Sequence, residues 1–479
     1  MMPYVVPMNS KGAILGNAGE YNQPPFLSLP CGSSFGNIDI YKFNVSEQNI
    51  VSVVTERKKC LTYYCDLSAD SEWNDLPMFD QDSTEEERKT CLASRNMSGD
   101  GSKENPWKNL TFALEKVRCI VNSLCCNYVK LVCSGTANYT VCYYENFQKT
   151  EFDGRGILIL SGANVNPKNI GYYTICGFYY LRNCLFYNCR VNIETDYAHK
   201  YGEPDSLWYS LEGWAFYMCE YSMFVSCETD VVLNSTSANE YSVTKNPYAF
   251  YRCSFSTFFE CVTYVSASQN GFNHVSMLAS AFYRCHYSTF YNCTTKANAE
   301  SFDGGETLNG IYGSIECEAI AINDCENGKF YDCISFADAE GNAKSSASIN
   351  AAALSECKDA EFYRCTAQVD SLIIAEKIAY SSASGFSSCY DSSYFSCNTV
   401  AKTESIGKPL ARSYANGYGD CGNSVFFECE FNVSAIASAS PESGNAFTEE
   451  EHECGIQDDS GCKSGYRCEI RTEDGTKTC

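Results

Sequence analysis

A short phrase of aromatic residues and cysteine recurs along this chain and limits its possible folds more than any other feature. Three segments contain the phrase twice each, with the two cysteines eight positions apart: AFYMCEYSMFVSC (215–227), AFYRCSFSTFFEC (249–261) and AFYRCHYSTFYNC (281–293). The steps between these segments are 34 and 32 residues. A recurrence at this period indicates a repeat architecture, in which each unit packs on its neighbours.

The second half of the phrase continues downstream with a constant step. It ends at Cys333, Cys365, Cys397 and Cys429, which are separated by three steps of 32 residues. The first half becomes degenerate, but its cysteine stays eight positions ahead of its partner. The step from Cys293 to Cys333 is longer than these by eight positions, and we interpret the surplus, with the additional Cys317, as a gained half-phrase.

The residues of these units favour strands over helices. Tetratricopeptide and ankyrin repeats have similar periods, but each of their units needs two stretches with apolar residues at helical spacing. The units here are rich in Tyr, Phe, Ser, Thr and Cys, with Gly, Asn and Asp between short apolar stretches. We therefore predict an all-β chain, a parallel β-helix of about nine coils, each of which supplies two or three short strands.

The region before the repeats predicts a cap for the β-helix. A Gly-Asp-Gly-Ser turn at 99–102 precedes apolar residues that recur at helical spacing over 107–124, and 129–132 has the character of a strand. Such a helix would cover the open hydrophobic end of a solenoid. The predicted organisation is an acidic, cysteine-containing N-terminal region (1–98), an entry and capping region (99–175), the repeats (176–440) and a cysteine-rich tail (441–479).

Two of these patterns resemble a known family. The entry segment, with DGS followed by NPW, an apolar helix pattern and a strand, resembles that of the right-handed parallel β-helix proteins of the pectin-lyase-like superfamily. The F-x-x-C phrases resemble the F-x-x-N repeats of polymorphic-membrane-protein-type surface β-helices, with Cys in place of Asn, although the Gly-Gly-Ala-Ile motif of those proteins is missing. The resemblance covers 99–440, and it implies a right-handed coil and a surface location.

The repeat cysteines allow more than one interpretation. Zinc ligands usually come as closely spaced Cys pairs, so the eight-residue step without an interleaved His disfavours a metal site. Equivalent cysteines of adjacent coils should lie near 4.8 Å apart, which permits disulfides between coils, while simple stacking of buried thiols is the other possibility. The positions are Cys219, Cys227, Cys253, Cys261, Cys285, Cys293, Cys325, Cys333, Cys357, Cys365, Cys389, Cys397, Cys421 and Cys429.

The tail has too little apolar sequence to form a core of its own. We predict that two disulfides hold it together, formed among Cys454, Cys462, Cys468 and Cys479.

The orientation of the phrase stays open at this level. Strict alternation along a strand would place Tyr and Cys inside and Phe outside, whereas the F-x-x-N resemblance places Phe inside and the fourth residue at the bend. An aromatic stripe on the outside would suit stacking on sugars or contact with another protein.

The net charge limits the possible binding partners, and targeting signals bear on the location of the protein. The chain has 35 basic and 59 acidic residues, a formal net charge of −24, so nucleic acid and anionic membrane surfaces are poor partners. We find no apolar run long enough to span a membrane and no recognisable signal peptide, which keeps a cytoplasmic location open beside an extracellular one. Glycosylation candidates are the sequons at Asn44, Asn96, Asn109, Asn138, Asn234, Asn292 and Asn432.

A catalytic site has only weak support. The densest group of titratable residues in the repeats includes Glu194, Asp196 and His199, within the insertion between Cys189 and Cys219. We find none of the polygalacturonase signatures and no phosphate-loop or metal-binding motif, so we predict no cofactor and no metal.

The function expected from these observations is recognition without catalysis. The chain would bind carbohydrate or a cell-surface protein along its flank in the manner of an adhesin, or serve as a scaffold that self-associates. The alternatives are a polysaccharide lyase or glycoside hydrolase acting near 190–205, and an intracellular structural rod with reduced cysteines.

Overall fold

Most of the described residues lie in parallel strands that form three sheets. A computed structural model of the protein describes residues 61–68, 99–123, 128–141, 157–169, 174–182, 184–198, 208–236, 242–270, 274–302, 314–343, 346–376, 378–407, 410–439, 445–451, 468–472 and 475–478. Within these ranges there is one α-helix, α1 (Leu110–Ser123). The prediction of an all-β, right-handed parallel β-helix is confirmed.

The sheets differ in the length of their strands. Sheet 1 has mostly short strands: β1 (Leu61–Asp66), β2 (Tyr128–Ser134), β4 (Ile157–Ser161), β7 (Cys184–Tyr187), β10 (Met223–Val225), β13 (Thr257–Phe259), β16 (Thr289–Tyr291), β19 (Lys329–Tyr331), β22 (Glu361–Tyr363), β25 (Ser393–Phe395) and β28 (Val425–Phe427). Sheet 2 contains β3 (Thr136–Val141), β5 (Asn164–Asn169), β8 (Arg190–Ala198), β11 (Glu228–Thr236), β14 (Val262–Asn270), β17 (Thr294–Phe302), β20 (Ile334–Ala343), β23 (Thr366–Ala375), β26 (Asn398–Gly407), β29 (Cys429–Ala439), β31 (Cys468–Thr472) and β32 (Gly475–Thr478). Sheet 3 contains β6 (Thr174–Tyr179), β9 (Trp208–Tyr217), β12 (Ser242–Tyr251), β15 (His274–Tyr283), β18 (Ser314–Asn323), β21 (Ser346–Ser355), β24 (Ile378–Ser387), β27 (Leu410–Gly419) and β30 (Asn445–Glu451).

The chain divides into two compact units that interleave along the sequence. The first comprises the described residues up to Ile193 together with Trp214–Thr229 and Arg252–Val262, and the second comprises the remainder. Sheet 1 runs β1-β2-β4-β7-β10-β13 in the first unit. In the second unit the strand order of sheet 1 is β16-β19-β22-β25-β28. The strand order of sheet 2 there is β17-β20-β23-β26-β29-β31.

Each coil of the second unit passes from sheet 3 through a short sheet 1 strand to sheet 2. Register partners in sheet 1 lie one repeat period apart in the chain, as in Lys329 with Glu361 and Ser393 with Val425, so the sequence period equals one coil. The longer step from Cys293 to Cys333 is also confirmed, because Thr289 pairs with Lys329 across it.

The interpretation of Cys317 as part of an extra half-phrase is wrong. Cys317 lies in β18, where it pairs with Met277 of β15 and Ile349 of β21, and its side chain is buried. Sheet 3 and sheet 2 both show the longer offset on entering this coil, as in Thr294 with Ile334. The eight surplus residues therefore fall between the end of β17 and the start of β18.

A left-handed residue settles the orientation of the phrase. In FYDC the third residue, Asp332, has φ of 53°, and the equivalent Arg364 and Ser396 have φ of 51° and 52°. A residue in this region turns the chain sharply, so Phe330 and Cys333 both face inwards although they are three positions apart. The arrangement implied by the F-x-x-N resemblance is confirmed, and strict alternation is wrong because it assumes an unbroken strand.

Inward Phe residues stack face to face from coil to coil. In the second unit the ring centroids of Phe290 and Phe330 are 4.5 Å apart, and those of Phe330 and Phe362 are 4.9 Å apart. Rings from sheet 3 meet this column edge-on, as Phe386 does with Phe362 at 5.2 Å. The first unit repeats the arrangement, with Phe186 and Phe224 stacked at 4.8 Å. Both geometries are favourable for aromatic rings, so the core consists of continuous aromatic columns.

The predicted helix is present and packs against sheet 1 of the first unit, while its role as an end cap stays a prediction. Helix α1 buries Leu110, Ala113, Leu114 and Val117 and packs against β2 and β4. Asn109 caps its first turn by accepting a hydrogen bond from the Phe112 N–H at 2.9 Å. The predicted strand at 129–132 is β2, and strands β2 to β5 of sheets 1 and 2 already lie before the expected boundary at 176.

The N-terminal region contributes a strand that the sequence pattern did not reveal. Strand β1 pairs in parallel with β2, placing Cys65 beside Cys133. Its other edge bonds to the entry segment, where the Trp107 N–H donates to the Tyr64 carbonyl at 3.0 Å and the rings of Tyr63 and Trp107 stack at 5.0 Å. A Cβ on Gly101 would lie 2.7 Å from the Trp107 ring, which explains the glycine in this turn.

Part of the tail extends the sheets. Strand β30 pairs with β27, and β31 pairs with β29 so that Cys468 lies at the register position next to Cys429. Strand β32 then returns antiparallel to β31. Three of the four predicted tail disulfide cysteines, Cys454, Cys462 and Cys479, lie outside the described residues, so that pairing stays a prediction.

The aromatic columns predict a large effect from removing one ring. Phe330→Ala should lower the free energy of unfolding by about 3–5 kcal/mol, because a fully buried ring between two stacked neighbours leaves a cavity. Tyr390→Ala, at a side chain that is 39% exposed, is the control and should change it by less than about 0.5 kcal/mol. Chemical denaturation followed by circular dichroism measures both, and equal shifts would contradict the stacking account.

The left-handed corners predict an unusual stabilisation by glycine. Ser396→Gly should raise the free energy of unfolding by up to about 1 kcal/mol, because the left-handed conformation costs a non-glycine residue about 1–2 kcal/mol. Ser348→Gly, at an exposed position within β21, should instead lower it by about 0.5–1 kcal/mol. Thermal denaturation of the two variants should give shifts of opposite sign.

Candidate binding face on sheet 2

The catalytic candidates are described only in part, so that site stays a prediction. Glu194 is exposed on β8, Asp196 lies in the same strand, and His199 falls outside the described residues. Within the described part of the chain, no group of three His, Cys, Asp or Glu side chains is arranged to hold a metal ion.

The repeat cysteines form two columns of buried thiols. All of the repeat cysteines named above are buried, and none of them takes part in a disulfide. The sequence left open disulfides between coils or stacked thiols, and the structure has stacked thiols. The thiol of Cys325 contacts those of Cys285 and Cys357, and Cys365 likewise contacts Cys333 and Cys397.

Many of these thiols also point at a backbone carbonyl of the preceding coil. The Sγ of Cys365 donates to the Phe330 carbonyl at 3.5 Å, and the Sγ of Cys397 donates to that of Phe362 at 3.6 Å. Cys261 and Phe224 repeat this contact in the first unit at 3.6 Å. Burial raises the pKa of the Cys365 thiol well above its ordinary value, so the reactive thiolate is disfavoured.

Three sequons show how differently these positions are placed. Asn109 is buried as the helix cap, whereas Asn138 and Asn432 are exposed on sheet 2. The sequons at Asn44 and Asn96 lie outside the described residues.

An aromatic stripe does lie outside, but its ring faces are occupied. Tyr291, Tyr331, Tyr363 and Phe395 occupy the outward position of sheet 1, and their centroids are 5.0, 4.9 and 4.7 Å apart in succession. Rings stacked on one another present only their edges to a ligand. Tyr331 is accordingly buried, and this stripe is a poor platform for sugars.

The outer face of sheet 2 in the second unit carries a different set of side chains. Strands β17, β20, β23, β26 and β29 alternate between buried and exposed residues, so every second side chain points outwards. Register places these side chains in rows that cross the strands. One row contains Asn298, Asp338, Asp370, Lys402 and Ser434, and the next contains Glu300, Glu340, Leu372, Glu404 and Ile436.

These rows line an open groove of about 510 Å³. Five carboxylates and two ammonium groups border it, and none of its lining residues is aromatic. The ammonium of Lys296 donates to Asp338 at 2.8 Å, which raises the pKa of Lys296. Asn298 donates to Glu300 at 2.8 Å.

Two pairs of like charges face each other across neighbouring strands. Asp338 is the register partner of Asp370, and Glu300 is the register partner of Glu340. Like charges in directly opposed positions are unfavourable. The groove therefore presents a concentrated negative potential.

Apolar side chains continue from the groove towards the end of the strands. Ile374 and Ile406 are register partners and are 40% and 36% exposed. Ile436, which lines the groove, is 50% exposed, and Leu372 lies two positions before Ile374 on the same side of β23. We name these four residues the isoleucine strip, and the strip together with the groove the binding face.

The sequence contains a signal for this face that is separate from the repeated phrase. Segments such as TTKANAESF (294–302) alternate polar residues with small apolar ones, the mark of a strand with one face in solvent. Only the register between coils brings Asp338, Asp370 and Ile406 onto one surface.

No family model, curated protein or solved structure matches this chain. No helix in the described ranges is long and apolar enough to cross a membrane.

The buried columns predict protection of the thiols. Iodoacetamide should label the repeat cysteines of the native protein at least about a hundredfold more slowly than an exposed thiol, because burial restricts access of the reagent to them. A cysteine introduced by Ser438→Cys, at an exposed position of β29, supplies the exposed reference. Peptide mass spectrometry before and after denaturation measures both, and rapid native labelling of Cys365 would contradict the arrangement.

Proposed function

We propose that this chain is a non-enzymatic recognition protein that binds another protein through the binding face of sheet 2. The observation that carries the proposal is the isoleucine strip, in which large aliphatic side chains remain exposed beside rows of charge. Exposed apolar groups that adjoin one another and have polar neighbours are typical of protein interaction sites. The strands beneath are held by ladders on both sides, so the face is rigid and preorganised.

The geometry favours a protein over a carbohydrate partner. Sugar-binding sites often use the open face of an aromatic ring, but the outer rings of sheet 1 stack on each other and the groove lining has none. Carbohydrate binding remains the second candidate, because the carboxylate and amide groups of the groove could accept and donate hydrogen bonds to hydroxyls.

The proposed superfamily and location follow from the resemblance of the entry segment and of the repeated phrase to known β-helix proteins. We place the chain among the pectin-lyase-like β-helices as a protein of the cell surface or extracellular space. The turn at Gly99 and Gly101 and the inward Phe residues support this assignment, since both match the patterns of that superfamily. Burial of the repeat cysteines would protect their thiols from oxidation in an extracellular location.

A peptide-display library tests the proposed function because it samples many candidate partner sequences at once. Peptides selected on the wild-type protein should lose binding about tenfold or more with Leu372→Ser/Ile406→Ser, because aliphatic contacts at the centre of the face are removed. They should retain binding with Ile378→Ser, a matched control at an isoleucine that is 44% exposed on β24 of sheet 3.

Peptide display, a glycan array and an assay for polysaccharide cleavage together decide between the candidate functions. Equal loss with the Ile378 control, or no enrichment at all, would overturn protein recognition at this face. A glycan array that binds the wild type and not Asp338→Asn/Asp370→Asn would support the carbohydrate candidate. Release of reducing ends from a polysaccharide would instead indicate an enzyme.

A further inference from the structure

The binding face combines two properties that together specify the chemistry of an occupant. Its groove has an excess of carboxylates, and its isoleucine strip lies directly beside them on β23, β26 and β29. In the row through Leu372, the register neighbours are Glu340 on one side and Glu404 on the other. Acidic and aliphatic side chains are therefore interleaved at the spacing of adjacent strands.

The charge of the groove is left unbalanced by its own residues. Only one of its lysines, Lys296, forms an ion pair in the described structure, and it uses Asp338. Glu340 and Glu404 are presented outwards with no ion pair among those described, and the whole chain is also strongly acidic. A cationic group placed between these carboxylates would relieve their mutual repulsion.

The aliphatic part selects among cationic ligands. Ile374, Ile406 and Ile436 would stay exposed beside a small cation or a polyamine without apolar side branches. A ligand that covers them must carry its own apolar groups next to its positive ones. Lysine or arginine beside leucine, isoleucine or valine in one segment has this composition.

We infer that the occupant of the binding face is a basic amphipathic segment of a partner protein, with Lys or Arg against Glu340 and Glu404 and aliphatic residues against Leu372 and Ile406. This inference rests on the proposed function and names the class of its partner. A second copy of this chain is a poor occupant, because its own surface would bring further carboxylates against these.

The test measures binding of a short synthetic amphipathic peptide of lysine and leucine by isothermal titration calorimetry. Glu340→Gln/Glu404→Gln and Leu372→Ser/Ile406→Ser should each weaken binding about tenfold or more. Asp359→Asn/Asp391→Asn removes the same number of charges from exposed bends of the second unit and should change binding by less than about twofold.

A scrambled peptide of the same composition separates specific from non-specific attraction. Because its leucines no longer share one side, it should bind about tenfold more weakly than the amphipathic peptide. Equal binding of the two peptides, or equal weakening by the Asp359/Asp391 control, overturns the inference. Dimerisation of the protein alone that Leu372→Ser/Ile406→Ser abolishes also overturns it, in favour of a second copy.

The failure of this inference can be told apart from failure of the proposed function. Displayed peptides that depend on Leu372 and Ile406 but contain no excess of Lys or Arg overturn the basic partner and leave protein recognition standing. Absence of any peptide that depends on the face overturns both.

Discussion

The fold depends on the stacking of each corner phrase on the same phrase in the next coil. A Phe ring lies on a Phe ring, as Phe330 does with Phe362. A thiol lies on a thiol, as Cys333 does with Cys365, and a left-handed residue lies beside another, as Asp332 does with Arg364. A coil shifted by one residue would lose all three contacts at once. The phrase thus fixes the register of strands that are otherwise variable, and the long strands of sheets 2 and 3 follow from it.

The left-handed corner explains why cysteine can occupy this position. After the turn, the fourth residue faces inwards next to a carbonyl of the previous coil, where it must be small and must also offer a donor. Cysteine meets both needs, since Cys397 donates weakly to the Phe362 carbonyl and otherwise packs as a small apolar side chain. Stacked thiols do not need to be bonded to each other, because the backbone ladder on either side already holds the coils.

The sequence predicted the period, the fold and the helix because these depend on local patterns. The constant step of the phrase, the apolar spacing of α1 and the inward Phe of the F-x-x-N resemblance all survive in the structure. It did not predict β1, since LTYYCD is a short stretch whose pairing with β2 depends on contacts between distant parts of the chain. The position of the eight-residue insertion was misjudged for a similar reason: Cys317 resembles a phrase cysteine in sequence but has Met277 and Ile349 as neighbours in space.

The candidate binding face illustrates the same limit. Inside the protein each column repeats nearly the same residue, whereas the outer rows of sheet 2 change identity from coil to coil, as in Glu340, Leu372 and Glu404. Changes at these outer positions leave the core columns intact, so they can differ without loss of the fold. The repeated phrase therefore carries the stability, and the unrepeated rows are where specificity for a partner can reside. Glu300 beside Glu340 is unfavourable for stability alone, and a cationic partner placed against Glu340 would relieve that repulsion.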